Sequence, residues 1–227
     1  MERNNIFNLV HKGLRAALYS TAITLQRTDF TKQEEADATL EKVEEIIFLF
    51  DGHAAKEDHF VLPAIAAWEP SVVAAFESEH QHDEELALGL KACVGKVKEA
   101  ETSLEKLAAG RELDVAFAAF TAFNLQHMAR EEDILLKILW RYYTDEELKD
   151  ISTHIVKSME PWINDFYTTW MIRGINDTEA AEWYKEMQSA LPEPALQHML
   201  QKAKTELEPQ RYHSLTKKLK EIPVTVQ

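Results

Sequence analysis

Two stretches of this 227-residue chain carry an apolar residue every three or four positions, and each stripe is broken by a histidine followed four residues later by a glutamate. One runs Val43, Ile46, Phe50, His53, Glu57, Phe60, Ala64; the other runs Ala116, Phe120, Phe123, His127, Glu131, Ile134, Ile138. That spacing belongs to an amphipathic helix whose stripe faces a core. A polar group set there without a partner costs roughly 2–7 kcal/mol on transfer scales. These four residues need partners.

Two further stripes repeat the motif with histidine alone: Phe7, His11, Leu14, Leu18, Leu25, and Val73, Phe76, His80, Ala87, Val94. The helical period recurs nearly everywhere else. Gly 6 and Pro 7 of 227 residues are about half the usual share, which excludes turn-rich β-sandwiches and collagen-like repeats. The expected fold is all-α: an up-down-up-down four-helix bundle with additional C-terminal helices. The first helix is predicted over about residues 6–27. The second starts after Thr31 and is stopped by Pro70, with Pro63 kinking or ending it sooner. Ser71 is expected to cap the third, which reaches Ala109 before Gly110, and the fourth covers about residues 111–143. Thr144-Asp145-Glu146-Glu147 reads as a capping box.

Residues 1–143 are thus read as the bundle and 144–227 as a C-terminal helical extension to which the sequence assigns no role. Asn176-Asp177, Pro192-Glu193-Pro194 and Pro209 divide the extension into short helices. Its aromatics, among them Trp162, Phe166, Trp170 and Trp183, read as a stripe packing on the bundle or on a second subunit, the latter giving a homodimer.

In an up-down-up-down bundle the starts of the first and third helices lie beside the ends of the second and fourth. His11 and His80 fall within about ten residues of their helix starts, and Glu57 and Glu131 about a dozen or fewer before their helix ends, so a rise of about 1.5 Å per residue brings all to one level. Each His-x-x-x-Glu pair sets imidazole and carboxylate one turn apart on one face, within reach of a single ion. Four histidines and two glutamates suit iron or manganese. A structural zinc site is less apt without thiolates, and imidazoles exclude the all-oxygen coordination of calcium or magnesium. Two octahedral ions offer about twelve positions: four imidazoles and two bridging carboxylates would fill eight, leaving about four for an oxygen species and an exogenous ligand.

The remaining histidines stand apart. His59 and His82 fall off the stripes and read as surface or supporting groups, and His154, His198 and His213 lie in the C-terminal helices. Glu84, four residues after His80, reads either as a third carboxylate or as an exposed member of Asp83-Glu84-Glu85. The balance of 25 Lys+Arg against 39 Asp+Glu, net −14, argues against nucleic acid as a partner. The single cysteine, Cys93, excludes an internal disulfide and a cysteine-based zinc site and suits a reducing compartment. The N-terminus has no apolar stretch of signal-peptide length, and the longest uncharged run, Val115 to Ala129, is too short to cross a bilayer. A cytoplasmic location without a membrane partner is expected.

The elements HKGLR at His11, HAAKEDHFVLP at His53 and Glu57, ESEH at His80 and HMAREEDILL at His127 and Glu131, in this order, resemble the hemerythrin-like, or HHE cation-binding, family over roughly residues 6–143. The resemblance implies a four-helix bundle holding a non-haem di-iron centre of two iron ions, with manganese as the alternative. It implies His11, His53, Glu57, His80, His127 and Glu131 as ligands. Two departures stand out. Oxygen-carrying hemerythrins have a second histidine one turn after the first on the third helix, where this chain has Glu84, and they end with His and Asp five apart, where His127 and Glu131 are four apart. The implied function is binding or sensing of dioxygen, of a related small ligand such as peroxide or nitric oxide, or of iron, rather than simple oxygen carriage. The alternatives are a di-iron oxidoreductase, peroxidase or ferroxidase, and a metal-free helical interaction module.

Overall fold

The computed structural model describes residues 3–221, in which helices alternate with short connections and no β-strand occurs. The chain divides into two units, one of residues up to 8 and 17–160, the other of residues 9–16 and those from 161 on.

The first unit is built on α1 (Asn8–Arg27), an unbroken helix with both ends in this unit, then α2 (Gln33–Lys56), α3 (Leu62–Ile65), α4 (Pro70–Glu99), α5 (Ser103–Arg130), α6 (Leu136–Tyr142) and α7 (Asp145–Lys157). Two wide π-helical turns, Glu57–Val61 and Glu131–Leu135, join α2 to α3 and α5 to α6 without a break. The result is four rods joined by short turns at 28–32, 66–69 and 100–102, which make neighbours antiparallel. This is the expected all-α bundle. One apolar layer gathers Phe7, Val61, Leu62, Ile65, Val73, Phe76, Leu135, Leu136 and Leu139 with Leu148 of α7. Thr144 caps α7 with the reciprocal Glu147 bond that its sequence foretells.

Three local expectations are corrected. The third and fourth rods meet at residues 100–102 and not at Gly110. A capping box opens α5 there: the Glu105 N–H donates to Thr102 Oγ1 at 3.2 Å, and the Thr102 N–H to the Glu105 carboxylate at 2.8 Å. Gly110 sits inside α5 because the ring of Phe30 occupies the space a Cβ would need. Ser71 caps nothing, since Pro70 opens α4 with no side-chain cap. Pro63 does not end its rod, because it falls at the second position of α3, directly after the widened turn.

The π-turns also move the core register. Phe60, Ala64 and Ile134, expected on the stripes, are only half-buried, and Val61, Ile65 and Leu135 are buried in their stead. A π-turn holds one residue more than an α-turn, so everything beyond it rotates by about one position.

The second unit comprises α8 (Pro161–Gly174), α9 (Asp177–Ala190), α10 (Glu193–Glu206) and α11 (Pro209–Glu221) with residues 9–16 of α1. Its core is Ile172, Ile175, Ala180, Ala181, Tyr184, Ala203, Leu207 and Leu215. Trp170 is buried and Trp162 is exposed. Gly13 lets the α8 backbone approach closely, since a Cβ there would lie 2.8 Å from the Met171 nitrogen. No helix among the described residues is long and apolar enough to cross a membrane.

Candidate metal centre

The two His-x-x-x-Glu pairs occupy equivalent places. His53 is in the last turn of α2 and Glu57 opens the first π-turn; His127 is in the last turn of α5 and Glu131 opens the second. His80 lies on α4 and His11 near the start of α1. All six are buried, none more than 8% exposed. Phe76 is buried with its ring centroid 5.8 Å from that of His127, and the edge-to-face pair Phe50–Phe120, ring centroids 5.4 Å apart, lies on the same two stripes one to two turns before the pairs.

Within each pair the donor atoms converge. His53 Nε2 lies 3.3 Å from Glu57 Oε1, and His127 Nε2 lies 3.1 Å from Glu131 Oε1. From α4, His80 Nε2 stands 3.5 Å from Glu57 Oε2 and 3.9 Å from Glu131 Oε1. Two donors bound at right angles to one ion, each about 2.1 Å away, are about 3 Å apart. The separations suit such an ion. Glu57, His80, His127 and Glu131 offer ligand atoms all within 4.8 Å of one another, as do His11, His53, Glu57 and Glu131. Both carboxylates belong to both groups.

The chemistry of the donors fits as well. Asp58 Oδ1 is 2.6 Å from His80 Nδ1, and a carboxylate oxygen only accepts, so Nδ1–H donates. The other nitrogen, Nε2, is buried without a hydrogen-bond partner, the position of a ligand lone pair. In the metal-free protein the field of the carboxylates acts on protons. Burial pulls His80 down, but Glu131, Glu57 and Asp58 together push it up to about 11. His127 is raised in the same way, burial being outweighed by Glu131 and Glu57. A cavity that holds protons this firmly attracts a metal cation for the same reason, and the two compete.

Several residues near the centre escaped the sequence reading. Glu79 accepts from His127 Nδ1 at 2.8 Å and pairs through its other oxygen with Arg130, whose guanidinium lies 5.4 Å above the Phe76 ring. Asp83 and Asn124 form a buried pair, Asn124 Nδ2 donating to Asp83 Oδ1 at 2.6 Å, and burial raises the Asp83 carboxyl against that bond. These two were legible: Asp83 is three residues after His80 and Asn124 three before His127, on the same stripes. Asp58 and Glu79 lie beside the stripes, and only their adjacency to Glu57 and His80 hinted at them.

The other candidates are set aside by exposure. Glu84 is exposed, so Asp83 is the acid of that run on the buried face. His59 is exposed, and His82 meets Glu85 and the edge of Phe123 at the surface. His154 bonds the Asp150 carbonyl, His198 bonds Asp165, and His213 is exposed.

A sequence model of the hemerythrin HHE cation-binding domain matches residues 4–139. The chain is also similar to F-box/LRR-repeat protein 5 of Bos taurus, 24% identical over 155 residues that cover 68% of this chain and 22% of that protein. The protein of the same name from Mus musculus is 24% identical over 152 residues, 67% of this chain and 21% of the relative. That of Xenopus laevis is 25% identical over 167 residues, 74% of this chain and 23% of the relative. The chain therefore spans less than a quarter of the length of these curated relatives. No solved structure matches it.

Proposed function

The chain belongs to the hemerythrin HHE cation-binding family, and on that premise we propose that it is a non-haem di-iron protein that binds or senses dioxygen, a related small ligand or iron. The observation that carries this reading is the sharing of Glu57 and Glu131 by two groups of four buried ligand atoms. Glu57 and Glu131 would help to hold both ions, His11 and His53 would serve one and His80 and His127 the other, with manganese the alternative metal. Bound iron supplies open coordination positions and one-electron chemistry to a small ligand such as dioxygen, peroxide or nitric oxide. The chain's own contribution is to keep the ligand atoms converged, to exclude water with Phe50, Phe76 and Phe120, and to hold protons on His80 and His127 until metal displaces them. A cytoplasmic setting and pairing of two copies through the C-terminal helices belong to the same proposal. The lone, buried Cys93 agrees with a reducing compartment.

Elemental analysis and an optical spectrum of the full chain from iron-replete cells test the reading. About two iron or manganese ions per chain are expected. One zinc and no iron sinks the di-iron reading, and no metal at all supports a helical interaction module. Rapid mixing of the reduced protein with oxygen or peroxide separates the rest: a long-lived adduct supports binding or sensing, and fast turnover supports an oxidoreductase.

A further inference from the structure

The Nδ1 atoms of His80 and His127 are held crosswise by carboxylates from neighbouring elements. Asp58, the residue after Glu57 on the first π-turn, reaches His80 on α4. Glu79, the residue before His80 on α4, reaches His127 on α5. One element thus offers the centre a candidate ligand and offers the next element's imidazole an acceptor. At His80 the two edges of one ring face consecutive residues: Nε2 lies 3.5 Å from Glu57 and Nδ1 lies 2.6 Å from Asp58.

We infer that Glu79 and Asp58 are positioning residues of the metal centre, each accepting the Nδ1–H of one imidazole and so presenting the Nε2 of His127 and His80 to the ion. The inference rests on the metal-centre reading above. A neutral imidazole has two tautomers, and only the one protonated at Nδ1 offers a lone pair at Nε2; a carboxylate on Nδ1 selects that tautomer, orients the ring and raises its basicity. Glu79 is the better built of the two. Its side chain is 16% exposed and is held at both oxygens, one by His127 and one by Arg130, which in turn lies over Phe76. The Asp58 side chain is 48% exposed, so water can take its place when it is removed.

The test uses the full chain with Glu79→Ala, Glu79→Gln, Asp58→Ala and Asp58→Asn, titrated anaerobically with Fe(II) and Mn(II). Loss of such a supporting carboxylate typically weakens metal affinity about 10- to 100-fold. Glu79→Ala should fall in that range, Asp58→Ala should lose less, and Glu79→Gln and Asp58→Asn, which keep an acceptor oxygen, should recover part of each loss. Nitrogen-15 NMR of the Zn(II)-loaded protein supplies a second readout. A protected Nδ1–H is expected on both rings of the wild type, with that of His127 lost in Glu79→Ala alone and that of His80 lost in Asp58→Ala alone. Folded alanine variants that bind metal as tightly as the wild type overturn the inference, and so does a wild-type His127 unprotonated at Nδ1. A wild type that takes up none of the three metals overturns the metal-centre reading and this inference with it.

Discussion

The Nε2 of His80 on α4 stands 3.5 Å from the Oε2 of Glu57 on the first π-turn, long for a hydrogen bond and suited to two donors on one ion. His82, two residues on, has a side chain 54% exposed and faces away from the buried stripe. His80→Ala should therefore remove most of the bound metal, and His82→Ala should leave most of it in place. Metal analysis of the two purified variants decides this. Equal loss in both would mean that the α4 register is wrong.

The metal-free protein should show the proton that His80 holds. Its folded value is pushed up to about 11, above the unfolded value of about 6.5. A raised folded value stabilises the fold fully below about pH 6.5, and that stabilisation is lost as the pH rises toward the folded value. The melting temperature of metal-free protein should accordingly fall from pH 7 to pH 10. Metal uptake at pH 7 should release protons, visible as buffer-dependent heats in titration calorimetry. Uptake without proton release would mean that His80 is neutral in the cavity.

The second π-turn should be dispensable for folding and required for the site. Deleting the exposed Asp133 would set Leu135, Leu136 and Leu139 at three, four and seven residues after Glu131, which is ordinary α-helical stripe spacing. The deletion variant is expected to keep its helical circular dichroism and to bind metal at least about tenfold more weakly, as for other changes beside the ligands. Wild-type affinity in a folded deletion variant would show that the wide turn does not set the direction of Glu131.

Gly110→Ala tests the packing that hides the start of α5. Helix propensity alone predicts a gain of up to about 1 kcal/mol. The Cβ, however, would overlap the buried ring of Phe30, and overpacking costs about 1–3 kcal/mol. Net destabilisation is expected, read as a lower melting temperature. A stabilised variant would show that Phe30 can move aside.

Much of the molecule was legible because it is local. Stripes at three and four residues and His-x-x-x-Glu pairs depend only on the geometry of one helix, so the all-α class and the burial of His11, His53, Glu57, His80, His127 and Glu131 follow from the chain alone. The capping boxes at Thr102 and Thr144 are equally local, although along the sequence Gly110 competes with Thr102 as the boundary. Asp83 and Asn124 stood at stripe positions and were masked, respectively, by a run of acids and by the alternative spacing through Phe123.

What remained depends on a second element. Whether Gly110 ends a helix or sits inside one is decided by the ring of Phe30 above it. Whether a rod takes one extra residue into a π-turn depends on whether the layer beyond buries Val61 and Leu135 in place of Phe60 and Ile134, a choice made by the packed neighbours. Asp58 and Glu79 lie off their own helices' stripes, and nothing along either helix marks them as partners of His80 and His127. The periodicity of a sequence determines which face of each helix is buried. The residues that meet across two faces are set by how far each helix is rotated and shifted against its neighbours, and only the packing of the whole core decides that.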